Sequence, residues 1–339
     1  MNFPVRRAPH IRISETNRTL MTDVMIALVP LYIMAYLYYG IRALYLGVWG
    51  VLIAVVADNV GILLRRQRPN VRDLSAVVTG MMIPLLLPAS ISYEIVAVAV
   101  LFGILVAKQP FGGVGQNIFN PTAAGIAFVT ISWPNQVLRY PTPLDPLELF
   151  GTVTAKLSES PAYTLKMGGV PIIDSVDMLL GNFKGPMGCT YVLVIVACLV
   201  YLLVRRTVRW NVAVPFLATV AVFALLFPRA NLSWVESITY EMFSGSLLFG
   251  AVFLINDPVT APKRHTAQIL YGVLAAVFTM LYRYFGGLEQ GVVFAVLLVN
   301  ALSATFDKFS EELPNINLRI RRKGDESQSD NCAEPEKTL

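Results

Sequence analysis

Two carboxylates stand in unusual places in this sequence. Asp58 falls in Val-Val-Ala-Asp-Asn-Val-Gly, inside an otherwise apolar run, and Asp257 opens Asp-Pro-Val-Thr-Ala-Pro directly after another. A lone carboxylate in hydrocarbon costs several kcal/mol unless it is paired or wet. Asp58 therefore either belongs to a cation path or is neutralised near the end of its run by Arg65 or a backbone donor. Asp257 either contacts a cofactor or caps a helix with Pro258 in its first position. Residues 112–125, Gly-Gly-Val-Gly-Gln-Asn-Ile-Phe-Asn-Pro-Thr-Ala-Ala-Gly, add three glycines that allow close backbone approach. They also add two amides, Asn117 and Asn120, ahead of Pro121. Such groups could meet a flavin ring or a dehydrated cation, or could simply form a tight turn and a helix cap. Asn300 is a further amide within an apolar run, and Thr164 and Thr190 sit near glycines and a lysine in a polar stretch.

The elements that must position these residues are membrane spans. Apolar residues are 55% of the 339 and charged ones only 14%, against roughly a quarter charged in soluble domains. The apolar residues fall into blocks of about 17–23, the length that crosses roughly 30 Å of hydrocarbon. Ten spans are predicted at about 21–39, 43–63, 74–90, 92–107, 118–133, 189–204, 210–227, 243–256, 267–284 and 290–306. The third, fifth and eighth contain Pro, Gly, Ser and Asn, and are expected to be broken or re-entrant, which requires burial in protein or a cavity. The first span is expected to be retained rather than cleaved as a leader, and its N-terminal flank carries Arg6, Arg7, Arg12 and Arg18.

Orientation follows from the basic residues. With the N-terminus cytoplasmic, 20 of the 27 Lys and Arg fall in inside segments, and the alternation holds loop by loop. That bias places both termini in the cytoplasm of a multi-pass cell-membrane protein. It also reads the net charge of +5 as an orientation signal, with membrane lipid and no nucleic acid as the surrounding partner. Cys189, Cys198 and Cys332 form no CxxC pair, and His10 and His265 are the two histidines, a poor set for zinc or iron–sulfur ligation.

Five spans on each side of a long outer loop suggest an all-α fold of two inverted five-helix repeats. The first is 1–133, the outer loop is 134–188, the second repeat is 189–312, and 313–339 is a charged, disordered cytoplasmic tail. Residues 74–88 and 243–258, both small-residue-rich and ending in Pro, echo one another. Inverted repeats with interrupted helices place sites near the midplane, at the repeat interface.

Gln-Asn-Ile-Phe-Asn-Pro-Thr-Ala-Ala-Gly, Asp-Pro-Val-Thr-Ala-Pro, residues 285–300 and residues 73–88, together with a Gly-x-x-Gly-x-Thr element at 185–190, resemble the NqrB/RnfD family of membrane flavoproteins. The resemblance spans about residues 15–310, and the short N-terminus favours its RnfD side. It implies a ten-helix flavin-carrying subunit of an Rnf complex, which couples electron transfer between ferredoxin and NAD to sodium or proton movement. The other Rnf subunits (A, B, C, E and G) would be its partners. It also implies FMN attached through its phosphate to a threonine of a Ser-Gly-Ala-Thr motif on the outer side, with a second, non-covalent flavin as a further expectation. Here the motif reads Ser160-Pro161-Ala162-Tyr163, followed by Thr164. Thr164 is the first attachment candidate and Thr190 the second, and a chain without covalent flavin is the remaining reading. Asp58, Asn117, Asn120, Asp257 and Asn300 are the expected ion contacts. A stand-alone channel or secondary transporter for a small solute is the rival reading. The long outer loop separates the two, because a channel has no need of a flavin there.

Overall fold

The computed structural model describes residues 17–67, 73–150, 160–229, 232–286 and 291–331. The basic N-terminal flank before 17 and Glu289 lie outside them. Among the described residues the regular structure is helical. Helices α1 (Asn17–Tyr39), α2 (Ile41–Leu64), α3 (Ser75–Leu85), α4 (Tyr93–Leu105) and α5 (Pro121–Ser132) form the first group. Three short helices follow: α6 (Pro134–Val137), α7 (Pro161–Lys166) and α8 (Ser175–Leu180). The second group is α9 (Val192–Val204), α10 (Trp210–Leu226), α11 (Trp234–Phe243), α12 (Leu247–Phe249) with a π-helical turn at Gly250–Leu254, α13 (His265–Phe285) and α14 (Gly291–Asn331).

Five segments are long and apolar enough to cross a membrane: 17–39, 41–64, 93–111, 265–285 and 291–312. Helices α3, α5, α9 and α10 are apolar but shorter, and α11 with α12 forms a pair bent by 65°. The expected weakness of the third, fifth and eighth spans is visible here. Helices α3 and α5 have 11 and 12 residues, and the eighth predicted span, 243–256, falls on the second arm of the bent pair. Helix α14 continues as helix through Asn331, across much of the expected disordered tail. An existing helix extends without a new nucleation cost.

The packing chemistry explains why a carboxylate can sit inside. Along α2 the buried residues after Arg42 are Ala43, Leu46, Gly47, Gly50, Ala54, Ala57, Asp58 and Gly61, a helical seam made mostly of small side chains. Val48, Leu52, Val56 and Leu63 point outward, exposed. Lipid offers no hydrophobic drive between helices, so small residues that let backbones touch supply the contact instead. At Gly50 a Cβ would lie 2.5 Å from the Gly80 carbonyl oxygen of α3. Asp58 is on that inward seam.

Two buried arginines satisfy the backbone where helices break. Arg42 donates to the carbonyls of Ala89 and Ile91, 3.0 Å each, and of Glu148, 2.8 Å. Arg283 donates to the carbonyls of Glu241 and Ser244 at the α11–α12 bend and pairs with the Glu241 carboxylate. Non-helical backbone at membrane depth needs such internal partners. Arg283 is 3% exposed, because the bend needs a donor there.

Candidate functional site

Asn120 caps α5. Its Oδ1 accepts from the Thr122 and Ala123 N–H groups, and Pro121 occupies the first turn as its missing donor permits. Its Nδ2 donates to the Leu254 carbonyl at 3.1 Å, reaching from the first helix group to the π turn of the second. The cap is thus formed, and the remaining amide donor ties the two helix groups together. The preceding glycines 112, 113 and 115 take φ of 120°, 88° and 84°, the left-handed region that lets the turn fold back under α5. Asn117, 8% exposed, donates to the Phe119 carbonyl inside this turn.

Asn117, Asn120 and Asp257 line one cavity of about 70 Å³, together with Thr79, Lys108 and Asn256. It lies between α1, α3 and the 108–122 segment on one side and the 202–208 and 252–259 segments on the other. With about 30 Å³ as one water's share of liquid volume, it has room for about two waters. That suits a hydrated or partly dehydrated cation and is too small for a flavin ring.

Of the two readings of Asp257, cofactor contact or helix cap, the cap fails, because α13 starts at His265. The carboxylate instead holds a turn, accepting from the Val259 N–H at 3.3 Å and the Thr260 hydroxyl at 3.2 Å. A proline at 262 keeps the next helix from starting earlier. Burial pushes the Asp257 carboxyl above the usual aspartate range, and those two donors pull it part of the way back.

Asp58 is neutralised by a different residue from the one expected. Arg65 does not reach it; the Lys108 Nζ does, at 2.8 Å. The same ammonium donates to Ser75 Oγ at 2.8 Å and lies 3.7 Å from Asp73. Gln109 Nε2 also donates to Asp58, at 2.5 Å. Arg65 is drawn aside by the turn, where its guanidinium lies under Gly113. Asn300 lies one layer away: its Oδ1 accepts from the Tyr271 hydroxyl at 2.6 Å, and Tyr271 is within electrostatic reach of Asp257.

Several buried polar residues escaped the sequence reading. Asp23 of α1 accepts from Arg205 at 3.1 Å and Thr207 at 3.2 Å, joining α1 to the α9–α10 turn beside the cavity. Glu241 sits between Arg229, 2.7 Å, and Arg283, 3.2 Å. Helix α11, which positions Glu241, starts with a Ser233/Glu236 capping box, a Ser-x-x-Glu signal readable from the sequence.

The two threonines differ in access. Thr164 is half-buried on α7, its hydroxyl donating to the Ser160 carbonyl at 3.3 Å. Thr190 is 0% exposed, its hydroxyl enclosed beside Tyr191. Next to Thr164, Leu165 shares a small apolar core with Met178, Phe183 and Tyr240. Tyr240 and Ile173 in turn wall an open hollow of about 450 Å³ that Asp174 and Asp177 also line.

The model of the NQR2, RnfD, RnfE family matches residues 4–314. The chain belongs to that family. It is similar to the D component of a proton-translocating ferredoxin:NAD(+) oxidoreductase complex from Clostridium ljungdahlii, at 30% identity over 91% of this chain and 95% of the relative. It is equally similar to the D component of the Na(+)-translocating counterpart from Acetobacterium woodii, at 31% over 92% and 95%. The D component of an ion-translocating oxidoreductase complex from Aliivibrio salmonicida is 26% identical over 92% of this chain.

Proposed function

We propose that this chain is the D-type membrane subunit of an Rnf-type complex, coupling ferredoxin:NAD electron transfer to translocation of a monovalent cation, alongside the complex's other subunits. The observation that carries the reading is the interface cavity. Asn117 and Asn120 from one helix group and Asp257 from the other meet there, with Lys108, itself paired to Asp58 behind it, in the wall. A path for a cation needs water-sized space, oxygen ligands and a carboxylate at the point where two bundles can move against one another.

The same reading makes the fold ten spans in two inverted repeats, with both termini cytoplasmic. Corresponding contacts support it. Helix α4 packs on α2 and α5 as α13 packs on α10 and α14, α1 meets α9, and α5 meets α14. At the start of α10, Arg209 donates to the Pro262 carbonyl at 2.7 Å, the counterpart of Arg42 at the start of α2.

The flavin of this reading belongs to the outer lobe, on Thr164. A phosphoester needs a hydroxyl that the attaching chemistry can reach, which Thr164 offers and the enclosed Thr190 does not. A bound flavin would supply electron transfer, while the protein supplies position and tuning.

Two measurements test the proposal. Reconstituted complexes carrying Asp58→Asn or Asp257→Asn should move fewer ions per NADH formed; normal pumping by both would remove the cavity from the ion path. Mass spectrometry of the denatured subunit should find an FMN-sized gain on the Thr164 peptide. A gain on Thr190 would move the site, and none on any peptide would remove the tether.

A further inference from the structure

Most polar groups that line the cavity are already committed to protein partners. Asn120 spends its Oδ1 on the Thr122 and Ala123 N–H groups and its Nδ2 on the Leu254 carbonyl. Asn256 accepts from the Arg209 N–H at 3.3 Å and donates to the Ala251 carbonyl at 2.7 Å. The lining hydroxyls are turned to protein as well. Thr79 donates to the Ser75 carbonyl at 3.0 Å, Thr207 to the Asp23 carboxylate at 3.2 Å, and Thr122 to the Met82 sulfur at 3.7 Å. Val24, Val78, Val252 and Phe253 stand between them and offer no ligand. Lys108 adds a positive charge to the wall, its ammonium held by Asp58 behind it. Asp257 is the one carboxylate among the described lining residues. The Val259 N–H and the Thr260 hydroxyl donate to it, and among the described residues no ion pair reaches it.

We propose that the ion moved through this cavity is a proton carried on the Asp257 carboxylate, rather than a sodium-like metal cation. The proposal rests on the cavity lying in the ion path and names the ion for that path. A dehydrated metal ion must replace its water shell with several oxygens at once. A cavity with room for about two waters cannot supply that shell as water. Its amides could supply it only by giving up the α5 cap and the hold on the 256–262 segment. The Lys108 charge also works against a metal ion. A proton needs far less: one carboxylate oxygen, and a water to arrive on. A hydronium in the cavity gives its proton to an Asp257 oxygen and becomes water. Release passes the proton to another water and restores the carboxylate with its two donors. Burial favours the protonated form, and those donors favour the ionised one, so neither form is trapped. The charged groups around Asp257 leave it free to do this. Lys108 is balanced by Asp58, Arg205 by Asp23, and Arg209 is committed to the Pro262 carbonyl. On α13, the Nδ1 of His265 is bonded to Asn211, and Tyr271, within electrostatic reach of Asp257, donates to Asn300. Intramembrane carboxylates are the usual stations of proton relays.

The test uses the assembled complex in sealed vesicles, turning over with ferredoxin and NAD. Without added sodium the vesicles should acidify, read by an enclosed pH dye, and added sodium should leave the rate unchanged. Uptake of radiolabelled sodium that persists when a protonophore collapses the pH gradient overturns the proposal. A second measurement needs no variant and so does not depend on one folding. Carbodiimide reacts with a protonated carboxyl, and a metal ion seated on Asp257 would block it. Labelling of Asp257, read by peptide mass spectrometry at fixed pH, should be the same with and without sodium; protection by sodium overturns the proposal. The variant Asp257→Asn then separates the two claims. It should abolish acidification. If the variant still acidifies the vesicles, the cavity is not the ion path and the proposal falls with it. If the variant stops ion movement but the wild-type complex carries sodium, the path stands and the proton falls.

Discussion

At the scale of single residues, the Asp58–Lys108 pair is a linked risk. Breaking a buried pair by removing one partner costs about 3–5 kcal/mol, because the other charge stays buried, while removing both can be nearly neutral. Lys108→Gln alone should therefore lower the melting temperature of the purified complex more than the Asp58→Asn/Lys108→Gln double variant does. Equal losses would mean Asp58 finds water or another donor. Asp257 supplies a second check. Its raised folded-state pKa means the folded chain keeps that proton to higher pH than the unfolded chain does. Folding is then favoured by the protonated form, and this contribution fades as pH rises through the folded value. Carbodiimide labels protonated carboxyls, so Asp257 should still react at pH values where exposed carboxylates have stopped. Labelling that falls off together with surface carboxylates would contradict the burial-driven shift.

At the scale of elements, the sequence was informative wherever residue type alone decides the outcome. Pro121 after Asn120 announced a capped helix start, and the Pro, Gly and Ser content of the third, fifth and eighth spans announced their shortness or bend. Pairings that depend on tertiary approach were not legible. Nothing local says that Lys108, at the end of a span, turns inward to Asp58 rather than outward to headgroups, or that Arg283 serves the α11–α12 bend. Helix α11 was legible and missed, since its capping box lies just ahead of the predicted span. Helix α3 carries Ser75 and Thr79 to the cavity and is held to α2 by the Gly50–Gly80 contact. A Cβ at Gly80 would come within 2.7 Å of the Gly50 carbonyl oxygen and 2.8 Å of the Ala54 side chain. Gly80→Ala should thus cost about 1–3 kcal/mol as an overpacking change. It should also reduce coupling, because it shifts a cavity wall; wild-type stability and coupling together would show that α2 and α3 separate freely.

At the scale of the whole molecule, orientation rests on charge, and the packing rests on the orientation being consistent. The Lys and Arg bias assigns Lys263, before α13, to the cytoplasm and Lys184, between α8 and α9, to the outside. Both ends of that assignment matter for function. The cavity with Lys108 and Asp257 would open toward the side where ferredoxin and NAD act, whereas the lobe carrying Thr164 would face away from it. In intact cells, a membrane-impermeant thiol reagent should label Lys184→Cys. It should reach Lys263→Cys only after the membrane is opened. The native thiols give little background among the described residues, since Cys189 and Cys198 are buried, and replacing Cys332 removes the third. The reverse labelling pattern would turn the molecule over, placing the cavity mouth outside and the Thr164 lobe in the cytoplasm, and the inverted-repeat reading would then have to explain why the basic residues ignore the membrane potential and the translocation machinery that normally enforce their bias.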